Sequence, residues 1–177
     1  MSRNIFIYGI IAGAIAIAAM TINVSAGVHS LVVGYLVLFA AMSLIFVSIK
    51  RYRDVELGGV IRFATAATLG LGIAAVAGIV YVIGWELFLW STDYSFFNEY
   101  VAADIERQRA AGVKAAELAQ SSREMAALAE QYNSQPLLRF GFTLVEVLPV
   151  GLVVTLISAS LLRNSEFLPA RARRTAA

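Results

Sequence analysis

Residues 63–90 read FATAATLGLGIAAVAGIVYVIGWELFLW, from Phe63 to Trp90, and carry one charged side chain, Glu86, close to the far end. As an α-helix at about 1.5 Å per residue this stretch is about 42 Å long, more than the roughly 30 Å hydrocarbon core of a bilayer. A helix that is apolar all round must be buried in protein or in lipid, so the stretch reads as a membrane span that tilts or projects beyond the membrane. Three further runs meet the same criterion. Residues 5–24 hold no charge, residues 30–49 stop at Lys50, and residues 137–162 contain Arg139 and Glu146. The chain therefore reads as an all-α integral membrane protein. Four transmembrane helices form a single membrane domain over 1–177, with a helical segment at 91–136 between the third and fourth and a basic tail at 163–177.

Composition agrees and narrows the chemistry. Of 177 residues, 59% are hydrophobic and 15% charged, against roughly 45–50% and about 25% in soluble domains, and mean hydropathy is +0.75. The absence of Cys excludes disulfides, thiolate catalysis and thiolate metal sites. With His29 the single histidine, a catalytic triad has one available base and a multi-histidine metal site cannot form. The glycines of the third span lie inside a transmembrane helix rather than after a strand, which excludes a nucleotide loop. No carboxylates are paired at catalytic spacing, so no enzyme, cofactor or metal is expected.

Orientation follows from the basic residues. Nine lie at one side: Arg3, Lys50, Arg51, Arg53, Arg62, Arg163, Arg171, Arg173 and Arg174. The opposite side has Arg107, Arg109, Lys114 and Arg123, in a loop that also carries seven acids. Both termini are thus expected in the cytoplasm, with the long loop outside. The pI of 9.1 reflects bases that flank spans, where anionic headgroups retain them, rather than a nucleic-acid surface. Arg3 and Val24-Ser25-Ala26 have the outline of a signal peptide, yet the apolar run exceeds the usual 7–15 residues, so a retained first span is expected.

The long loop is rich in Ala, Glu, Gln and Arg, which favours helix. Apolar residues recur at Phe97, Val101 and Ile105, then at Leu118, Met125, Leu128 and Tyr132, with Gly112 between the two stripes. Ser121 and Glu124 have the spacing of a capping box. A short amphipathic hairpin is the simpler reading, and a docking surface for a partner the sharper one.

Because lipid tails are as apolar as Leu, helices in membranes associate where small residues let backbones approach. Gly9 and Gly13 form such a face in the first span. Ala66, Gly70, Ala74 and Gly78 form one in the third, and Gly151, Thr155 and Ala159 one in the fourth. Packing inside one bundle is expected for most of these, with Gly9 and Gly13 the first choice for contact between copies.

Charges at membrane depth are costly and face the interior or a cavity. Arg139, Thr143 and Glu146 share one face of the fourth span by their spacing, and Glu146 lies just outward of its midpoint. Pro149 withholds an amide from the Val145 carbonyl and is expected to open the helix there. Two readings stay open: Glu146 beside Pro149 is a binding or proton site, or Glu146 is a structural acid paired with Arg139 or a neighbouring hydroxyl. Glu86 falls in the interface beside Trp85, Trp90 and Tyr94, an aromatic belt, and exposure to headgroups is its simplest account. His29 belongs at the same level, and its spacing to Glu86 and Glu146 specifies no metal site. At the other side, Lys50, Arg51, Arg53 and Asp54 form a polar turn suited to the anionic leaflet, with Gly58-Gly59 allowing tight re-entry.

Gly34-Tyr35, Ile45-Phe46, the Lys50-x-Tyr52-Arg53-Asp54 turn with Gly58-Gly59, and Glu146-x-x-Pro149-x-Gly151 together resemble the bacterial inner-membrane family of domain-of-unknown-function 4199. The likeness extends from the first span to Leu162. It implies a four-span protein with an outer helical loop, brings no established activity, cofactor or catalytic residue, and assigns Arg53, Asp54, Glu146 and Pro149 to the family pattern. The functional expectation is a non-enzymatic scaffold or accessory subunit of a membrane complex. Its partners are the bilayer and another membrane protein or a second copy. The alternative is a small proton- or cation-coupled transporter or channel-like oligomer that uses Glu146, with Pro149 as its flexible point.

Overall fold

The structure, a computed structural model, describes residues 1–26 and 31–170. The expectations for His29, Arg171, Arg173 and Arg174 lie outside these residues. The described chain is helical without strands: α1 (Ser2–Ser25), α2 (Leu31–Met42), α3 (Leu44–Arg51), a π-helical turn (Tyr52–Glu56), α4 (Phe63–Ser91), α5 (Phe96–Ala110), α6 (Ala115–Ser134) and α7 (Pro136–Leu162). Four stretches are long and apolar enough to cross a membrane: Ser2–Ser25, Val32–Glu56, Phe63–Ser91 and Pro136–Leu162. The second of them runs on past Lys50, because the helix continues through Arg51 into the π-helical turn.

Cα packing divides the chain into two compact units, Met1–Gly84 with Leu144–Ala177, and Trp85–Thr143. Helices α4 and α7 each pass from one unit into the other. In the first unit α4 is the central helix, and its small residues explain why. On one side Gly72 and Gly84 receive Ile5 and Ile17 of α1, while Gly9 and Gly13 of α1 receive Val76 and Val80 of α4. A Cβ at Gly9 would stand 2.6 Å from Val76 Cβ, and one at Gly13 would stand 2.7 Å from the Ala77 carbonyl oxygen. On another side Gly70 meets Thr155, Gly78 meets Leu144, and Gly151 of α7 meets Ala74. Contacts with α1 advance along both helices together, so α1 and α4 are parallel; those with α7 advance oppositely, so α4 and α7 are antiparallel. Gly151 also approaches the Met42 sulfur, which brings α2 against α7.

These contacts correct one expectation. Gly9 and Gly13, the first choice for contact between copies, face α4 of their own chain. The GxxxG spacing marks a face made for close approach, and dispersion between tightly packed backbones is what holds helices together in lipid. Around it, Ala12, Ala16, Leu38, Met42, Ile45, Leu69, Ile73, Ala77 and Val147 form the buried core. Large apolar side chains at Ile10, Leu36, Ile79 and Ile157 point outward, as a lipid-facing surface requires.

In the second unit, α5 and α6 form an antiparallel hairpin. Phe97 stacks on Tyr132 at 4.6 Å between centroids, and the connection turns at Gly112, whose φ of +78° lies in the left-handed region that glycine adopts without strain. The α6 helix begins at Ala115, so Ser121 and Glu124 lie inside it and the capping-box spacing marks no start. Glu124 instead accepts a hydrogen bond from Gln120.

Candidate functional site

In the second unit the geometry converges on Arg139. Its side chain is 3% exposed. Nε and Nη2 donate to the two oxygens of Glu86 at 2.8 and 2.9 Å, a bidentate pair in which a planar guanidinium matches a carboxylate. Nη1 donates to the carbonyls of Tyr132 and Asn133, each at 2.9 Å, where the end of α6 leaves acceptors without intrahelical partners. The guanidinium carbon lies 5.0 Å from the centre of the Tyr94 ring and 5.9 Å from that of Tyr132, within range of cation–π attraction. Tyr94 is brought there by a turn in which Asp93 and Tyr94 both have positive φ, +49° and +56°. Two successive non-glycine residues in this region store strain, and the interactions around Arg139 offset it. Behind them Trp85 donates from Nε1 to the Tyr132 hydroxyl at 2.8 Å and packs against Phe88 and Phe96.

Two expectations change here. Glu86 is 22% exposed and bound to Arg139 rather than open to headgroups, and Trp85 is buried while Trp90 alone of that tryptophan pair is exposed. Arg139 does not pair with Glu146, for a geometric reason. Side chains on a helix lean toward its N-terminus, so Arg139 reaches back to Tyr132 and Asn133, away from a residue seven positions ahead. Thr143, one turn on, donates to the Arg139 carbonyl.

Arg53 is the corresponding anchor of the first unit. It is fully buried and donates to the carbonyls of Leu162, Phe167 and Leu168 at 3.3, 3.0 and 2.5 Å. It thereby satisfies the open end of α7 and the irregular segment that follows. Its Nε binds Asp54, which also binds Lys50. Phe167 meets Phe46 edge-on, and Leu168 has a φ of +49°. The lipid-facing assignment of Arg53 is thus overturned: the π-helical turn rotates it inward. Lys50 is neutralised by Asp54, and of the four polar residues of this turn Arg51 is exposed. Asn4 donates to Glu56 at 3.0 Å, which joins the start of α1 to the same end.

Glu146 is bonded to neither anchor. It is half-buried in α7, and among the described residues it makes no hydrogen bond or ion pair. Pro149 is exposed and lies inside α7, which runs as one helix from Pro136 to Leu162. No group of three or more His, Asp or Glu side chains among the described residues could hold a metal ion.

On the hairpin, a groove runs between α5 and α6. Val101, Ala102, Ile105, Ala126 and Ala129 line its apolar part, with Glu106, Arg109 and Glu130 among its polar residues.

A family model described as a protein of unknown function (DUF4199) matches residues 7–164. The chain belongs to this family. The match takes in most of the first candidate span, the whole of the other three, and the Arg53, Arg139 and Glu146 positions. No curated protein and no solved structure matches the chain.

Neither anchor was evident as a unit from spacing. Glu86 and Arg139 are far apart in sequence, and each shows a charge in an apolar run, which is the signal that two such charges could be partners. Nothing in the sequence marks Arg53 for burial among the bases around it.

Proposed function

We propose that this DUF4199 protein is a non-enzymatic membrane component that holds a partner protein on its α5–α6 hairpin. The observation that carries this reading is the groove between α5 and α6, which the chain's own side chains leave open along Ala102, Ile105 and Ala126. The membrane helices, by contrast, use their small-residue faces on each other, and Arg53 and Arg139 use their donors internally. The open apolar lining of such a groove suits an amphipathic helix supplied by another protein. In this reading the end bearing Arg3, Arg51 and Arg62 is cytoplasmic by the positive-inside rule, the membrane is the inner membrane, and the hairpin lies outside. Ala102 and Ala126 are exposed, so Ala126→Arg fills the groove without disturbing the core. The wild type, extracted in mild detergent, migrates as a larger assembly, and the Ala126→Arg variant migrates alone with unchanged thermal unfolding. Equal migration of the two would refute the reading.

A second reading rests on a separate observation. Glu146 is an ionisable group in a membrane helix without a hydrogen-bond or ion-pair partner among the described residues, and such groups mark proton or cation pathways. In proteoliposomes this reading requires a pH-driven flux that Glu146→Gln abolishes while the fold is retained. A wild type without flux removes it.

A further inference from the structure

Basic residues at the end of the first unit that holds Arg53 divide into two kinds. Lys50 and Arg53 are tied to Asp54. Arg3, Arg51, Arg62 and Arg163 are exposed, and among the described residues none of them makes a hydrogen bond or an ion pair. Each terminates a different membrane helix: Arg3 begins α1, Arg51 ends α3, Arg62 precedes α4 and Arg163 follows α7. The packing brings them to one end. Antiparallel contacts of Gly70 with Thr155 and of Ala74 with Gly151, continued outward along α4 and α7, bring Arg62 level with Arg163. The bond from Arg53 to the Leu162 carbonyl puts the end of α3 beside the same point, and Asn4 on Glu56 brings in Arg3. The acids nearby do not answer these charges. Asp54 holds Lys50 and Arg53, Glu56 faces Asn4 and the N-terminal amine, and Glu166 is exposed without an ion pair.

We propose that Arg62 and Arg163, flanked by Arg51 and Arg3, form a binding site for the headgroup phosphates of anionic phospholipids at one face of the membrane. A guanidinium presents a planar fork that fits phosphate oxygens in pairs. Four such groups at the rim of a bundle, each with a free fork, hold a diacyl lipid whose chains lie along the outward apolar residues of α4 and α7. The inference is independent of what docks on the hairpin. It also reassigns the lipid contact within the Lys50–Asp54 turn, from the whole turn to Arg51.

The test uses the full-length protein in vesicles of phosphatidylcholine with increasing phosphatidylglycerol, followed by native mass spectrometry of the lipids retained. An interfacial basic residue is worth about 1 kcal/mol toward an anionic leaflet, or about fivefold in affinity. Arg62→Gln/Arg163→Gln is expected to lose roughly 25-fold in phosphatidylglycerol retention, and Lys50→Gln to leave it within about twofold. Inorganic phosphate, added to protein in neutral detergent, is expected to leave thermal unfolding unchanged. The proposal is overturned if the wild type retains phosphatidylglycerol no better than phosphatidylcholine or if the double glutamine variant retains it equally well. It is overturned as well if Lys50→Gln loses as much as that variant, or if free phosphate stabilises the protein as the lipid does.

Discussion

Replacing Arg139 by Met tests the interactions on which the second unit depends. Met keeps the length and apolar stem of the side chain and removes every donor. The change eliminates two charge-assisted bonds to Glu86 and two bonds to the carbonyls of Tyr132 and Asn133, and two ring contacts. It leaves the Glu86 carboxylate without its counter-charge. Breaking a buried pair by removing one partner costs about 3–5 kcal/mol. Glu86 keeps some access to its surroundings, which places the expected loss at the lower end, about 3 kcal/mol. Glu86→Gln is expected to cost less, about 2 kcal/mol, because the guanidinium keeps its two carbonyl acceptors. Thermal unfolding in detergent, read by circular dichroism, measures both, and the double variant closes the cycle. A coupling of at least about 1.5 kcal/mol between the sites is expected. Arg139→Met within about 0.5 kcal/mol of wild type would refute the reasoning, since a fully engaged buried guanidinium cannot be removed at so little cost.

Four other outcomes follow from the same geometry. Gly13→Leu should lower the unfolding temperature by several degrees, because its Cβ would meet the Ala77 carbonyl. Gly141→Ala, with nothing within 4 Å of the added carbon, should be neutral or slightly stabilising. Arg53→Met should release the chain after Leu162, read as faster tryptic cleavage at Arg163 with the helical signal largely retained. Glu146→Gln should leave stability unchanged or raised, because it removes a charge that no described residue partners; a loss above about 2 kcal/mol would show that the carboxylate has a structural counterpart.

The sequence carries the spans because a bilayer imposes length and apolarity on each of them separately, so residues 63–90 could be read without knowing any neighbour. The small-residue stripes were equally plain, yet a stripe does not name what lies against it. Gly9 and Gly13 have the same pattern whether they meet Val76 and Val80 of their own chain or a second copy, and tertiary packing decided for α4. The Arg139, Thr143 and Glu146 stripe shows the same limit. Spacing put three polar residues on one face, whereas the lean of helical side chains toward the N-terminus sent Arg139 back to Glu86. Arg53 was least legible, since its burial depends on a π-helical turn and on carbonyls more than a hundred positions away.

In the function proposed above, the membrane helices satisfy one another and the α5–α6 groove meets a partner. A photoreactive amino acid at Ala126, compared with one at Ile79 on the outward face of α4, tests it most directly in intact membranes. One discrete protein adduct is expected from Ala126, absent when Ala102 is also replaced by Arg, and lipid adducts alone from Ile79. A discrete protein adduct from Ile79 with none from Ala126 would contradict it.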